Sequence, residues 1–117
     1  EQIDYINAHA SSTQLNDATE TMSIKQVFGD NTVIPVSGTK GYYSHPLGAT
    51  GAIEATLATL ALQHQWIPPT INYANSDPAC DLDLVPNHGR KARLDYVMSN
   101  SFGFGGINAC VILGQSS

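Results

Sequence analysis

The stretch VSGTKGYYSHPLGATGAIE, residues 36–54, decides how the rest of the chain is read. It reads as the end of a strand, a tight loop and the start of a helix. The loop carries one lysine, Lys40, and one histidine, His45. Glycines at 38, 41, 48 and 51 let the backbone bend sharply and come close to a ligand. A helix that starts near Gly48 aims its first amides, and its partial positive charge, back at the loop. A titratable ring, a fixed cation and free amides within a few residues suit an oxyanion or carbonyl site.

Working outward, the helix from Gly48 to about Gln63 has one charged residue, Glu54. Alanines recur at 49, 52, 55 and 58, with Ile53, Leu57 and Leu60 on another face, a pattern expected of a helix packed in a core. Upstream, Val33–Val36 is expected as a strand whose pairing Pro35 limits. Asn16 or Asp17 is expected to cap a helix running to about Phe28, with Gly29 as its stop. That helix is apolar on two sides, Leu15, Ala18 and Met22 against Ile24, Val27 and Phe28, which favours burial between layers. Residues 2–8 read as a first strand, ending at His9 and the hydroxyl-rich turn Ser11, Ser12, Thr13. Downstream of the central helix, the Pro-, Asn- and Asp-rich run 66–95 reads as an irregular connection with a short strand near Leu82–Val85. Leu94–Ser99 and Ala109–Leu113 read as strands joined through NSFGFGGIN, a β-hairpin. The order β-α-β-α-hairpin describes a layered α/β unit.

Composition narrows the function classes. With 117 residues the chain is at most one domain. Charged residues make up 13%, about half the usual ~25%, so more protein is expected to cover part of this surface. Five basic against ten acidic residues, a net charge of −5, offer no basic patch for nucleic acid. Cys80 and Cys110 have no paired spacing, which argues against a disulfide framework or a zinc site. The apolar runs are far shorter than the ~20 residues of a membrane span, and no signal peptide is read. A cytoplasmic location is expected, or the plastid stroma for a plant protein. The opening EQIDYINAHA reads as a strand in progress, so the chain is expected to begin inside a larger unit.

Three loops carry the candidate chemistry: His9 with its hydroxyls, Lys40 with His45, and the Phe102–Gly106 turn. All three can lie along one edge of one sheet. Taken singly, each histidine is more often structural than catalytic, Lys40 more often a solvated lysine, and the glycine turn reads equally as a plain hairpin. His64 and His88 read as surface residues.

Taken together, the motifs resemble the C-terminal half of the β-ketoacyl-acyl carrier protein synthases, the elongating condensing enzymes. NAHASST is similar to that family's N-A-H-G-T-S-T, and SGTKGYYSHPLGATGAIEA to its S-T-K-x-x-x-G-H-x-x-G-A-x-G-x-x-E. IPPTIN, CDLDLVP and NSFGFGGINA match three further stretches, so the likeness runs from about Asp4 to Leu113. The resemblance implies a thiolase-like α/β fold, of which residues 1–117 are the C-terminal portion: a mixed five-stranded sheet with helices packed on it. It implies decarboxylative Claisen condensation of an acyl thioester with malonyl-acyl carrier protein, in fatty-acid or polyketide assembly. His9 and His45 take the place of the family's catalytic histidines and Lys40 that of its lysine. Glu20 matches a glutamate placed near that lysine, expected to pair with it. Ser11 and Thr13 match hydroxyls that hold the phosphopantetheine arm, which acts as part of the substrate; no bound cofactor and no metal are implied. Phe104 matches an aromatic gate beside the acyl pocket, Phe102 lies in the same turn, and Asn108 matches an asparagine beneath it. The implied partners are acyl carrier protein, the N-terminal half, and a second copy of the complete enzyme.

Departures from the family pattern are Ala10 and Ser44, each where glycine is usual, Ser11 for threonine, and the bulky Tyr42 and Tyr43. The family's nucleophilic cysteine belongs to the first half of the fold, and neither Cys80 nor Cys110 takes its place. An alternative reading is a non-catalytic, chain-length-factor-like partner of a synthase; retention of His9, Lys40 and His45 argues against it. A thiolase relative, which uses one histidine and a second cysteine, fits the two-histidine pattern less well. A plain α/β binding module is the remaining alternative.

Overall fold

The computed structural model describes residues 2–11, 14–45, 47–71 and 80–116, with the side chains of 14–16 and 104 outside that description. The elements in chain order are β1 (Tyr5–Asn7), α1 (Gln14–Phe28), β2 (Val36–Ser37), α2 (Thr50–His64), β3 (Trp66–Ile67), β4 (Arg90–Lys91), β5 (Tyr96–Phe102) and β6 (Asn108–Gly114). Short 3-10 turns occupy Lys40–Tyr42, Leu47–Ala49 and Phe104–Gly106.

The main sheet runs β2-β1-β5-β6. β1 is parallel to both neighbours, and β5 and β6 form the antiparallel hairpin the glycine turn suggested. The sheet is therefore mixed, with four strands among the described residues rather than five. The fifth position, beside β2, is taken by the 82–85 segment, where the Val36 N–H donates to the Asp83 carbonyl at 2.8 Å. No strand forms there because β2 has only two residues and one outward N–H to offer. β2 itself starts later than Val33, because Pro35 has no N–H to give a ladder; Val33 is 84% exposed, and Ile34 is buried by packing alone. The connection after α2 holds a small antiparallel pair, β3 with β4, that composition did not suggest. Pro68 and Pro69 cut β3 to two residues, too short for a periodic signal.

β1 is buried on both faces, and its alternation divides the core. Tyr5 packs with Ala58, Ala61 and Leu62 of α2 and with Val97. Ile6 packs on the opposite side with Ile24 of α1, Ile34 and Val36. The result is three layers, α1 on one face of the sheet and α2 on the other. Neither helix is enclosed: Met22 and Val27 of α1 are 61% and 72% exposed and Leu60 of α2 is 43% exposed. Within these residues α1 thus falls short of the burial between layers expected of it, and α2, whose apolar pattern asks for a core, keeps part of its surface open.

At the sheet edge that carries the candidate loops, Ala10 has φ of 40°, a left-handed backbone disfavoured for a residue with a side chain. Its methyl group lies where a Cβ on Gly38 would come within 2.5 Å. The chain has thus placed its one methyl at residue 10 and left residue 38 bare. Gly38→Ser in the full-length protein is expected to cost roughly 1–3 kcal/mol by overpacking. Pairing it with Ala10→Gly should recover most of that loss, measured as the chemical-denaturation midpoint.

Candidate active site

Because β1, β2 and β5 are parallel, their carboxyl ends open on one edge of the sheet. His9 lies just beyond β1, Lys40 just beyond β2, and Phe102 ends β5. The edge brings the two imidazoles together, with ring centroids 5.3 Å apart and planes at 78°. Phe102 closes on His9 from the other side at 5.4 Å.

The peptide that carries His9 is held at three points. Glu20 accepts the His9 N–H at 2.9 Å and the Ala10 N–H at 3.0 Å, one with each carboxylate oxygen. Lys40 Nζ donates to the His9 carbonyl oxygen. Lys40 also pairs with Glu54 at 2.5 Å, and the two side chains are 6% and 0% exposed. The expected Glu20–Lys40 pair is therefore corrected: the partner of Lys40 is Glu54, and Glu20 binds backbone. The sheet explains the change, since Glu20 comes from α1 on one face while Lys40 meets α2 on the other. Burial pushes both glutamates above the usual carboxylate range. For Glu20 the backbone N–H groups of Ala10 and His9 and the Asn100 side chain work against burial. For Glu54 it is Lys40 that does so, and to a lesser extent the Tyr43 hydroxyl.

The hydrogen bonds settle the tautomers. A backbone N–H can only donate, so the ring nitrogen it meets must be an acceptor. The Phe102 N–H meets His9 Nδ1 at 3.3 Å. The Leu47 N–H meets His45 Nδ1 at 3.2 Å, with Thr50 Oγ1 at 3.4 Å. Each neutral ring therefore carries its proton on Nε2. Burial, then the nearby Lys40 and His45, lowers the pKa of His9 to about 4. His9 is thus a neutral donor at physiological pH, 5% exposed, while His45 lies open to solvent. The 3-10 turn before α2 supplies the His45 contact, so the first free amides here serve a ring.

Other expected residues fall as follows. Ser11 is half-buried in the loop after His9; Thr13 and the side chain of Phe104 lie outside the described residues. Asn108 opens β6 opposite Phe102. Both line an open apolar groove between α1 and the hairpin, with Glu20, Asn100 and Cys110. Cys110 donates its thiol to Asn100 Oδ1 at 3.0 Å. His64 and His88 are exposed, as read from sequence. No cluster of three metal-ligating side chains occurs among the described residues, and no described helix is long and apolar enough to cross a membrane. Sequence reasoning missed the roles of Glu54, Thr50 and Asn100. Glu54 left a trace as the lone charge of an apolar helix; Thr50 and Asn100 left none.

Residues 1–74 match the family model described as beta-ketoacyl synthase, C-terminal domain. The chain belongs to the beta-ketoacyl synthase family. It is 49% identical over 116 residues to a 3-oxoacyl-[acyl-carrier-protein] synthase 2 of Coxiella burnetii, covering 98% of this chain and 28% of that protein. The solved ishigamide ketosynthase/chain length factor superposes with a TM-score of 0.96 at 41% identity, over 99% of this chain and 28% of that one. A type II polyketide ketosynthase, solved in complex with its acyl-carrier protein, gives 0.95 at 38% identity, over 98% of this chain and 28% of that one. These matches establish the thiolase-like fold. The chain spans 28% of the length of each of these relatives.

Two measurements check the geometry of this beta-ketoacyl synthase site. By NMR, the His9 ring should titrate near pH 4, below the ordinary ~6.5 of histidine. An unfolded chain takes up that proton first, so the fold should lose stability as pH falls from about 6.5 toward 4. Glu54→Ala, which strands the buried Lys40 charge, should cost about 3–5 kcal/mol in denaturant unfolding.

Proposed function

We propose that the protein carrying this chain is a β-ketoacyl-acyl carrier protein synthase, and that residues 1–117 supply the decarboxylating half of its active site. The observation that carries this reading is the pair of neutral imidazoles on one sheet edge, each with its proton on Nε2. A malonyl thioester whose carbonyl oxygen sits between them accepts both protons as hydrogen bonds. As the carbon–carboxylate bond breaks, carbon dioxide leaves and its electron pair enters the thioester as an enolate. Negative charge then grows on an oxygen that lies between two hydrogen-bond donors, an arrangement that lowers the barrier. The enolate carbon next attacks the acyl thioester held on a cysteine, forming the new carbon–carbon bond and releasing the cysteine thiolate. That cysteine belongs to the N-terminal half, because Cys110 faces the groove beside α1 and bonds Asn100.

Lys40 does not touch the reacting atoms in this scheme. It holds the His9 carbonyl, and its charge adds to the burial that keeps His9 neutral. Ser11 and Thr13 are assigned to the phosphopantetheine arm and Phe104, beside Phe102, to the gate of the acyl pocket. Asn108 supports the turn from the start of β6. No resident cofactor is called for. The partners are acyl carrier protein, the N-terminal half, and a second copy of the whole enzyme as a homodimer, in the cytoplasm.

A chain-length-factor role is the second reading, favoured by the ishigamide ketosynthase/chain length factor among the structural relatives. A protein that only shapes a pocket has no need of two rings locked as Nε2 donors, which favours the catalytic reading. In the full-length protein, His9→Ala and His45→Ala should each lower malonyl-carrier decarboxylation about 100-fold or more. Loading of the acyl group onto the nucleophile should survive both changes. Unaltered decarboxylation in the two variants overturns the proposal, and a residue other than cysteine at the nucleophile position turns it toward the partner role.

A further inference from the structure

Two adjacent tyrosines, Tyr42 and Tyr43, fill the short turn between Lys40 and His45, and they point different ways. Tyr42 is 48% exposed, and its hydroxyl donates outward to the Pro69 carbonyl at 2.7 Å. Tyr43 is half-buried, and its hydroxyl lies 2.9 Å from Thr39 Oγ1. The turn is wound tightly enough to fix both, since the Tyr43 and Ser44 N–H groups both reach the Lys40 carbonyl, at 3.3 and 2.7 Å.

Donor and acceptor roles along this wall can be assigned in sequence. Asn7 Nδ2 donates to Thr39 Oγ1 at 3.3 Å and lies at the same distance from the Tyr5 hydroxyl. Thr39 therefore receives a proton from Asn7 and has its own to give. Given to the Tyr43 oxygen, it leaves the Tyr43 proton free. Among the described residues two buried acceptors lack a donor, Asn7 Oδ1 and Glu54 Oε2; of the two groups, Glu54 is the charged one, with Oε1 taken by Lys40. The Tyr43 hydroxyl and Glu54 act on each other: the hydroxyl favours the ionised carboxylate, and the carboxylate opposes ionisation of the phenol.

We propose that Tyr43 is a positioning residue of the decarboxylation site: its hydroxyl proton turns to Glu54 Oε2 and keeps that carboxylate in register with Lys40, and so with the His9 carbonyl. The inference rests on the decarboxylating role proposed for His9 and His45. The charged and titratable groups that face Glu54 are Lys40 and Tyr43 from the loop after β2, Tyr5 from β1 and Glu20 from α1. Of these, Lys40 and Tyr43 favour its charge, and burial and Glu20 oppose it. Loss of the Tyr43 hydroxyl makes Glu54 harder to ionise. The carboxylate then protonates at a higher pH, and Lys40 loses its anchor there.

The test is the pH profile of malonyl-carrier decarboxylation in the full-length protein, with Tyr43→Phe, which removes one oxygen, and Tyr42→Phe as the control. Tyr43→Phe is expected to move the acid limb of kcat upward by about half a pH unit or more. It should lower kcat several-fold at the optimum, with KM for the carrier substrate within about twofold. Tyr42→Phe should leave the limb in place. Replacement of Tyr43 by 3-fluorotyrosine, a stronger donor of nearly the same size, should move the limb the other way. It keeps the test decisive if the phenylalanine variant folds poorly. An acid limb that stays put with both replacements at position 43 overturns the inference. A wild-type rate that persists in His9→Ala and His45→Ala overturns instead the reading on which it rests.

Discussion

The buried pair of Lys40 with Glu54 is the constraint on which the site depends. A charge taken out of water loses several kcal/mol of hydration, and a pair regains this only with close geometry and further hydrogen bonds. Here the lysine spends a second proton on the His9 carbonyl. One ammonium group thereby ties together the loop after β2, the first turns of α2 and the end of β1. Neither helix rotation nor a shift of β1 along β2 is free to occur without exposing or stranding a charge. Alanines at 58 and 61 permit α2 to lie close against Tyr5, and it is this close approach that brings Glu54 within reach.

The same lysine has an electrostatic effect on the ring whose carbonyl it holds. Burial disfavours protonation of His9, and the nearby Lys40 and His45 add to it. In the proposed reaction a protonated His9 would attract the malonyl carboxylate and so stabilise the ground state. A neutral ring interacts weakly with the carboxylate and strongly with an enolate oxygen, so its contribution is concentrated where the barrier lies. The Phe102 amide completes the arrangement by occupying Nδ1, which leaves only Nε2 to donate.

Much of this was legible in the sequence, and the remainder failed for identifiable reasons. His9 was readable because it follows a strand and sits among small residues, and His45 because it shares a glycine-bearing loop with Lys40 ahead of a helix. The hairpin was readable from its glycine turn. Strand β2 was misplaced because apolar content marks burial, and Ile34 is buried without being paired. Glu20 was assigned to Lys40 because a motif gives proximity without giving the face of the sheet. Its actual task, binding two successive backbone N–H groups, carries no side-chain signature at all. Glu54 stood out as the lone charge in an apolar helix, but only the packing of α2 on β1 shows that it meets a residue fourteen positions earlier.

The local supports of the two rings all come from within the described residues. Glu20, Lys40 and Phe102 fix His9; Leu47 and Thr50 fix His45. These contacts orient both rings in advance, which reduces the reorganisation left for the moment when charge develops. The faces that still lack cover lie elsewhere, on the outer sides of α1 and α2 and along β6, where Val111 and Ile112 are 45% and 58% exposed. Such a division lets further polypeptide pack against those apolar faces without disturbing the hydrogen bonds at the sheet edge.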